Sequence, residues 1–223
     1  MRGLTFDDGL VLAVKKDCPT CTLVEPVVAQ IANAVPTIEV NYKDGTALPS
    51  GVSGIIDDRE LERSYRLAIE TVPTMIRVAG GEEVGRAEGW DRTAWETLSG
   101  VAGLGPDLPD HRPGCGAINA GPGMHERLAV RFGDTQFAAR PLTIAPFEDE
   151  IEACFERGWS DGLPVVPPTR ERVYRMLQGT RRAADEIVAV VPPDLVECTV
   201  EKVAINAVMA GCKLEYLPIV LAA

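Results

Sequence analysis

The stretch "LVLAVKKDCPTCTLVEPVVAQIANAV", residues 10–35, sets two cysteines between an apolar run and a helical pattern. Leu10-Val11-Leu12-Ala13-Val14 is a continuous apolar run of strand length, the kind buried on both faces of a parallel or mixed sheet. Beyond the cysteines, Val24, Val27, Val28 and Ile31 recur at i, i+3, i+4 and i+7, which is one face of a helix. Pro19 suits the first helical turn, where its missing N–H costs no hydrogen bond. Cys18 is therefore expected at the N-terminus of a helix that follows a strand, and Cys21 one turn further on. Three chemistries use such a pair: a metal clip, a structural disulfide and a working redox couple.

The redox reading has a mechanical basis. Unpaired N–H groups and the positive dipole end at a helix N-terminus favour a thiolate and lower its pKa. That thiolate attacks an electrophilic sulfur, and the second thiol, on the same side of the helix, releases the product. The zinc reading needs four ligands, and no second Cys-x-x-Cys stands nearby. Lys15, Lys16 and Asp17 pull on the thiol in opposite directions, so no net effect follows from them.

Working outward, residues 37–42 alternate as a second strand, and Asp57 and Asp58 can cap a helix with Leu61, Tyr65 and Ala68 on its apolar face. Residues 75–79 read as a third strand. Gly80-Gly81 turns it into a fourth at residues 83–87, and Asp91 caps a helix carrying Ala94, Trp95 and Leu98. The order is βαβαββα.

Residues 4–100 resemble the thioredoxin fold. Cys18-Pro19-Thr20-Cys21 stands where that family keeps its redox pair. Pro26 matches the proline that kinks the family's active-site helix. Thr71-Val72-Pro73-Thr74 matches its cis-proline turn, followed by a strand and a Gly-Gly turn. The resemblance implies a central mixed sheet flanked by helices. It further implies that Cys18 is the attacking thiol, that Cys21 is the resolving thiol, and that Val72 and Pro73 form an edge for a substrate backbone. Two departures stand out. No tryptophan precedes Cys18, and Leu12 occupies the position of the family's buried acid; both suggest a dedicated or weaker redox couple.

The totals narrow the class. The 223 residues carry a formal charge of -11. The acidity is spread along the chain, with 10 basic and 16 acidic side chains in residues 1–100. That excludes nucleic acid as the expected partner, because phosphate binding needs clustered Lys and Arg. No apolar run approaches the ~20 residues of a spanning helix, and the N-terminus has no signal-peptide pattern. A cytoplasmic protein without membrane contact is expected, its six cysteines thiols rather than permanent staples.

The second half is expected to differ. Residues 101–123 are dense in Gly and Pro and read as a linker, and residues 124–223 as an α+β domain, incomplete without another chain or segment. Its expected elements are strands at 127–132 and 137–144, a helix at 147–157, a helix from Thr169 to Leu177, a strand at 186–191 and a helix at 199–210. The apolar stretch that closes at Ala223 has no cap, which fits a subunit or fragment that needs a partner in a homo- or hetero-oligomer. Cys115 lies in the Gly/Pro stretch, where a flexible loop can bring it to another cysteine. Cys198 and Cys212 are further candidate thiols near helix ends, and Cys154 reads as core. His111, Cys115 and His125 form the one set that suggests a metal ion, the only cofactor the residues bring to mind. Trp159 and Asp161, in a loop stiffened by prolines, read as pocket-lining residues or as a plain turn. "RGWSDGLPVVPPT" and "TVEKVAINAVMAGCKLEYLPIVLAA" resemble segments of bacterial proteins associated with the UGSC-type (seleno)proteins, although their Cys-Gly-Ser-Cys motif is absent. That resemblance implies sulfur or selenium chemistry and assigns no residue a role.

Three functions follow as expectations. One is a thiol–disulfide oxidoreductase module that supplies electrons to an attached or partner enzyme domain and acts on a disulfide-containing protein or partner subunit, with Cys115 itself a candidate substrate of Cys18. Another is a subunit of an enzyme acting on an organosulfur or organometal substrate through Cys115 or Cys212. The third is a non-catalytic assembly subunit that docks through its thioredoxin-like fold.

Overall fold

The computed structural model describes residues 7–35, 38–42, 52, 54–133 and 135–223. The architecture is mixed α/β, and the chain divides into two compact units, Met1–Leu128 and Ala129–Ala223.

In the first unit, β1 (Gly9–Val14) is buried at all six positions because it runs through the middle of a five-stranded sheet. α1 (Pro19–Ala34) buries Thr20, Cys21, Val24, Val27, Val28 and Ile31, the stripe expected from the spacing. It carries the chain across to β2 (Ile38–Tyr42), which lies parallel to β1 with Leu12 opposite Val40. Thr37, read at the start of this strand, lies outside the described residues.

β3 (Ile55–Asp57) adds a parallel edge to β2. Three residues carry too little alternation to be legible in sequence. Asp57 thus ends a strand, while Asp58 does the capping. Its buried carboxylate accepts from the backbone N–H of Arg63 and of Ser64, both at 2.9 Å, and from the Ser64 hydroxyl at 2.5 Å. The helix it serves, α2 (Glu62–Arg66), is shorter than expected and stops before Ala68.

β4 (Thr71–Val72) leads through a cis Val72–Pro73 bond into β5 (Thr74–Ala79), which is antiparallel to β1. Gly80 and Gly81, at φ 64° and 75°, turn the chain into β6 (Glu82–Glu88), giving the sheet order β3-β2-β1-β5-β6. β7 (Trp90–Asp91) then starts α3 (Arg92–Ser99), where Asp91 accepts the Ala94 N–H at 2.8 Å. Trp90 and Trp95 are fully buried and meet edge to face at 5.1 Å.

Residues 101–123 are not a free linker. Leu104 and Ala117 are buried in the core of the first unit. β8 (His111–Arg112) pairs with β7, and β9 (Cys115–Gly116) pairs with β4. α4 (Met124–Phe132) crosses the boundary between the units. It replaces the strand expected at 127–132. Leu128, Val130 and Phe132 satisfy a two-residue period, but Leu128 and Ala129 are the residues that become buried, a helical rather than an alternating choice.

The second unit contains α5 (Glu150–Glu156), α6 (Arg170–Leu177), an antiparallel hairpin of β10 (Ile187–Val191) and β11 (Val196–Thr199), α7 (Val200–Met209) and α8 (Leu217–Ala222). Val173, Met176, Ala204, Ala207, Val208 and Leu217 form its core. The strand expected at 137–144 is absent. Pro141 has no N–H for a ladder, and the N–H groups of Ala138 and Ala139 go instead to the buried Glu201 carboxylate, at 2.9 and 3.1 Å. Gly211, at φ 72°, follows α7 as its sequence implied.

Candidate functional site

Cys18 is the N-cap of α1. Its backbone is extended, at φ −141° and ψ 110°, and its sulfur accepts the Cys21 N–H at 3.3 Å. A sulfur thus stands where Ser or Asp commonly caps a helix, so negative charge on it faces the orphan N–H groups of the first turn. In its thiol form Cys18 reaches the carbonyl of Val72 at 3.4 Å, and this contact is surrendered when the proton leaves.

Three sulfurs gather here. Burial opposes the Cys18 thiolate, and hydrogen bonds outweigh it: the Cys115 thiol first, then the N–H and thiol of Cys21 and the N–H of Thr20. The net result lies below the ordinary thiol value of 9.0. Cys21 goes the other way. Burial holds its proton, reinforced by its hydrogen bond to Cys18 and by repulsion from the Cys18 anion, so it lies far above the usual thiol range. Cys115 is also raised, chiefly because its proton is engaged by Cys18. A Cys18 thiolate would thus be the acceptor for the thiols of Cys115 and Cys21. All six cysteines are free.

The Val72–Pro73 edge, expected to be open to a substrate backbone, is filled by the chain itself. Val72 lies opposite Cys115, and Thr71 opposite Gly116, in an antiparallel pair. The strap is tied down along its length. Thr20 donates to the Pro113 carbonyl at 2.8 Å, Lys15 to the Gly116 carbonyl at 2.8 Å, and the Ala117 N–H to Glu70 at 2.8 Å. Asn119 donates to the Ile69 carbonyl at 2.5 Å. Gly114 is required by closeness, since a Cβ there would meet Thr71 Cγ2 at 2.4 Å and the Val72 oxygen at 2.7 Å. Thr20 and Gly114 were not singled out from sequence, and Lys15 only as a charge near the thiol; the signal available was Cys115 flanked by two glycines, which lets backbone approach backbone.

The remaining candidates do not join this cluster. His111 is exposed on β8 opposite Asp91, and His125 lies on α4 with its ring 6.3 Å from that of Tyr65. Cys115 is held at β4, so the three are not brought together. Among the described residues no group of three His, Cys, Asp or Glu side chains is arranged to hold a metal ion.

Within the second unit, Trp159 lines a groove of about 580 Å³ together with Phe137, Arg157, Arg170, Cys154 and Glu201. Asp161 does not line it; its carboxylate accepts the Leu163 N–H at 3.3 Å, as a turn residue does. Cys154 is buried, as expected of a core cysteine, and burial pushes its thiol up. Cys198 sits on β11 opposite Ala189, and the helix cap beside it is Thr199 rather than a thiol. Cys212, half-buried, borders a smaller hollow of about 400 Å³ with Arg172, Arg175 and Lys213.

No helix of the described residues is long and apolar enough to cross a membrane. No family model matches the chain, and no curated protein matches it.

Proposed function

We propose that the first unit is a thiol–disulfide oxidoreductase module of the thioredoxin-like class that supplies electrons to an attached or partner enzyme domain. The observation that carries this reading is the opposed pair: a helix-capping Cys18 sulfur held below the ordinary thiol value, beside a Cys21 held above it. The parallel β1-α1-β2 crossover, the antiparallel β5–β6 hairpin and the cis-proline immediately before β5 support the fold assignment.

In this reading the Cys18 thiolate attacks one sulfur of a disulfide, forming a mixed disulfide and expelling one thiolate. Cys21 then attacks the Cys18 sulfur, closing the Cys18–Cys21 bridge and expelling the second thiolate. Two electrons leave the dithiol and two sulfurs of the substrate receive them. The high pKa of Cys21 keeps it protonated until the mixed disulfide forms, and its proton leaves with the product.

The exposed apolar side chains Phe147, Leu163 and Ile219 of the second unit support a reading in which another chain or segment covers it. Its likeness to UGSC-associated proteins fits sulfur chemistry in the same chain.

The test is disulfide reduction by the full chain, followed with a small disulfide and with insulin. Cys18→Ser is expected to abolish the reduction, and Cys21→Ser to retain one half-reaction and stop with Cys18 in a disulfide that it cannot resolve. Undiminished turnover in Cys18→Ser overturns the proposal.

A further inference from the structure

The nucleophile of this site is closed off. Cys18 is 1% exposed, and the strap that covers it carries the half-exposed Cys115. An extended peptide cannot reach Cys18 by adding a strand, because β9 already occupies the Thr71–Val72 edge. Of the three cysteines only Cys115 is not fully buried, and it sits across from the residue whose carbonyl Cys18 touches. We propose that Cys115 is a third catalytic thiol, the outer member of a relay through a Cys18–Cys115 disulfide, and that the substrate is a low-molecular-weight disulfide rather than a peptide laid along the cis-proline edge. This rests on the oxidoreductase reading above.

The steps balance. Cys115 gives its proton to the Cys18 thiolate and attacks the substrate RSSR. A Cys115–SR bond forms, the S–S bond of the substrate breaks, and one RS⁻ leaves. Cys18 then attacks the Cys115 sulfur, forming Cys18–Cys115, and its proton departs with the second RS group as RSH. Cys21 attacks Cys18, forming Cys18–Cys21, and its proton passes to Cys115, which returns to the thiol. The sum is one RSSR reduced and one dithiol oxidised.

Each feature of the strap has a use in this sequence. Lys15 and Thr20 hold the carbonyls of Gly116 and Pro113, which anchors the strap on both sides of Cys115. Cys115 pairs with Val72, whose carbonyl Cys18 touches at 3.4 Å, and this neighbourhood is the path of the first proton. Burial of Cys21 keeps it from meeting the substrate directly. The strap therefore acts as a built-in peptide substrate whose sulfur is recycled.

The experiment mixes the pre-reduced full chain with hydroxyethyl disulfide and times the appearance of the Cys18–Cys21 bridge by acid quench, alkylation and peptide mass spectrometry. The variants Cys115→Ser and Cys115→Ala are both expected to form that bridge at least about tenfold more slowly than wild type, because the shielded Cys18 must find the substrate itself. Cys21→Ser, given limiting glutathione disulfide, is expected to accumulate a Cys18–Cys115 bridge. A wild-type bridging rate in both Cys115 variants, or Cys21→Ser carrying glutathione on Cys18 with no Cys18–Cys115 bridge, overturns the relay while leaving the oxidoreductase reading intact. A wild-type protein that never forms the Cys18–Cys21 bridge overturns that reading, and the relay with it.

Discussion

Replacing Gly114 with alanine tests how the strap is held. The added methyl would lie 2.4 Å from Thr71 Cγ2 and 2.7 Å from the Val72 oxygen. The second of these is backbone in a paired strand and cannot rotate away. Overpacking of this kind costs about 1–3 kcal/mol. Relief comes by lifting residues 113–116 from β4, at the expense of the Val72–Cys115 pairing. A local opening made easier by about 2 kcal/mol is populated roughly 30 times more often. Cys18 reacts with alkylating reagents mainly in that open form, so its labelling rate should rise by about the same factor, within limits of roughly 5 to 160 set by the range of cost. The assay is iodoacetamide labelling of the reduced chain, with Cys18 and Cys115 quantified separately by mass spectrometry. Opening also removes the Cys115 hydrogen bond and raises the Cys18 pKa, so rates are compared at several pH values to separate access from ionisation. Labelling of Cys18 in Gly114→Ala that matches wild type at every pH would refute the covering role of the strap.

Other consequences follow from the same contacts. Cys21 binds its proton more tightly in the folded chain than in the unfolded one, so its contribution to stability is complete below the ordinary thiol value of 9.0 and is lost as pH rises beyond it. Denaturant titrations of the reduced protein should show stability falling above that value, and Cys21→Ser should make the decline shallower by up to about 1.4 kcal/mol per pH unit; an unchanged slope counts against the buried thiol. Asp58→Ala leaves two backbone donors and the Ser64 hydroxyl without their acceptor and should cost about 3 kcal/mol in urea unfolding, whereas a loss below about 0.5 kcal/mol would mean water replaces the carboxylate. Thr199 accepts the Lys202 N–H as the N-cap of α7, so Thr199→Ala should destabilise the second unit by about 1 kcal/mol, and an unchanged midpoint would show that this cap is dispensable.

Much of the first unit was legible because its signals are local. The run from Leu10 to Val14, the helical stripe from Val24 to Ile31, the Gly80-Gly81 turn and the Asp91 cap each declare themselves within a few residues. The position of Cys18 at a helix start was legible for the same reason. The strap was not. Its glycines and prolines read as a loop, while its bonds run to Lys15, Thr20, Ile69 and Glu70, tens of residues away in the chain. β3 is too short to register, and α4 is ambiguous because "LAVRF" satisfies both a two-residue and a helical period. At residues 137–144 the deciding partner was the Glu201 carboxylate, a contact that no local pattern announces. In the proline-stiffened loop, Trp159 and Asp161 looked alike in sequence and differ in structure, one lining a groove and the other closing a turn.

The most direct measurement is the pH titration of the ultraviolet thiolate band in the reduced chain, wild type against Cys18→Ser. A single-thiol transition is expected with its midpoint below the ordinary value of 9.0, disappearing in Cys18→Ser, while Cys21 stays protonated well above that value. A wild-type curve with no transition below 9.0, or one that survives the substitution, would contradict it.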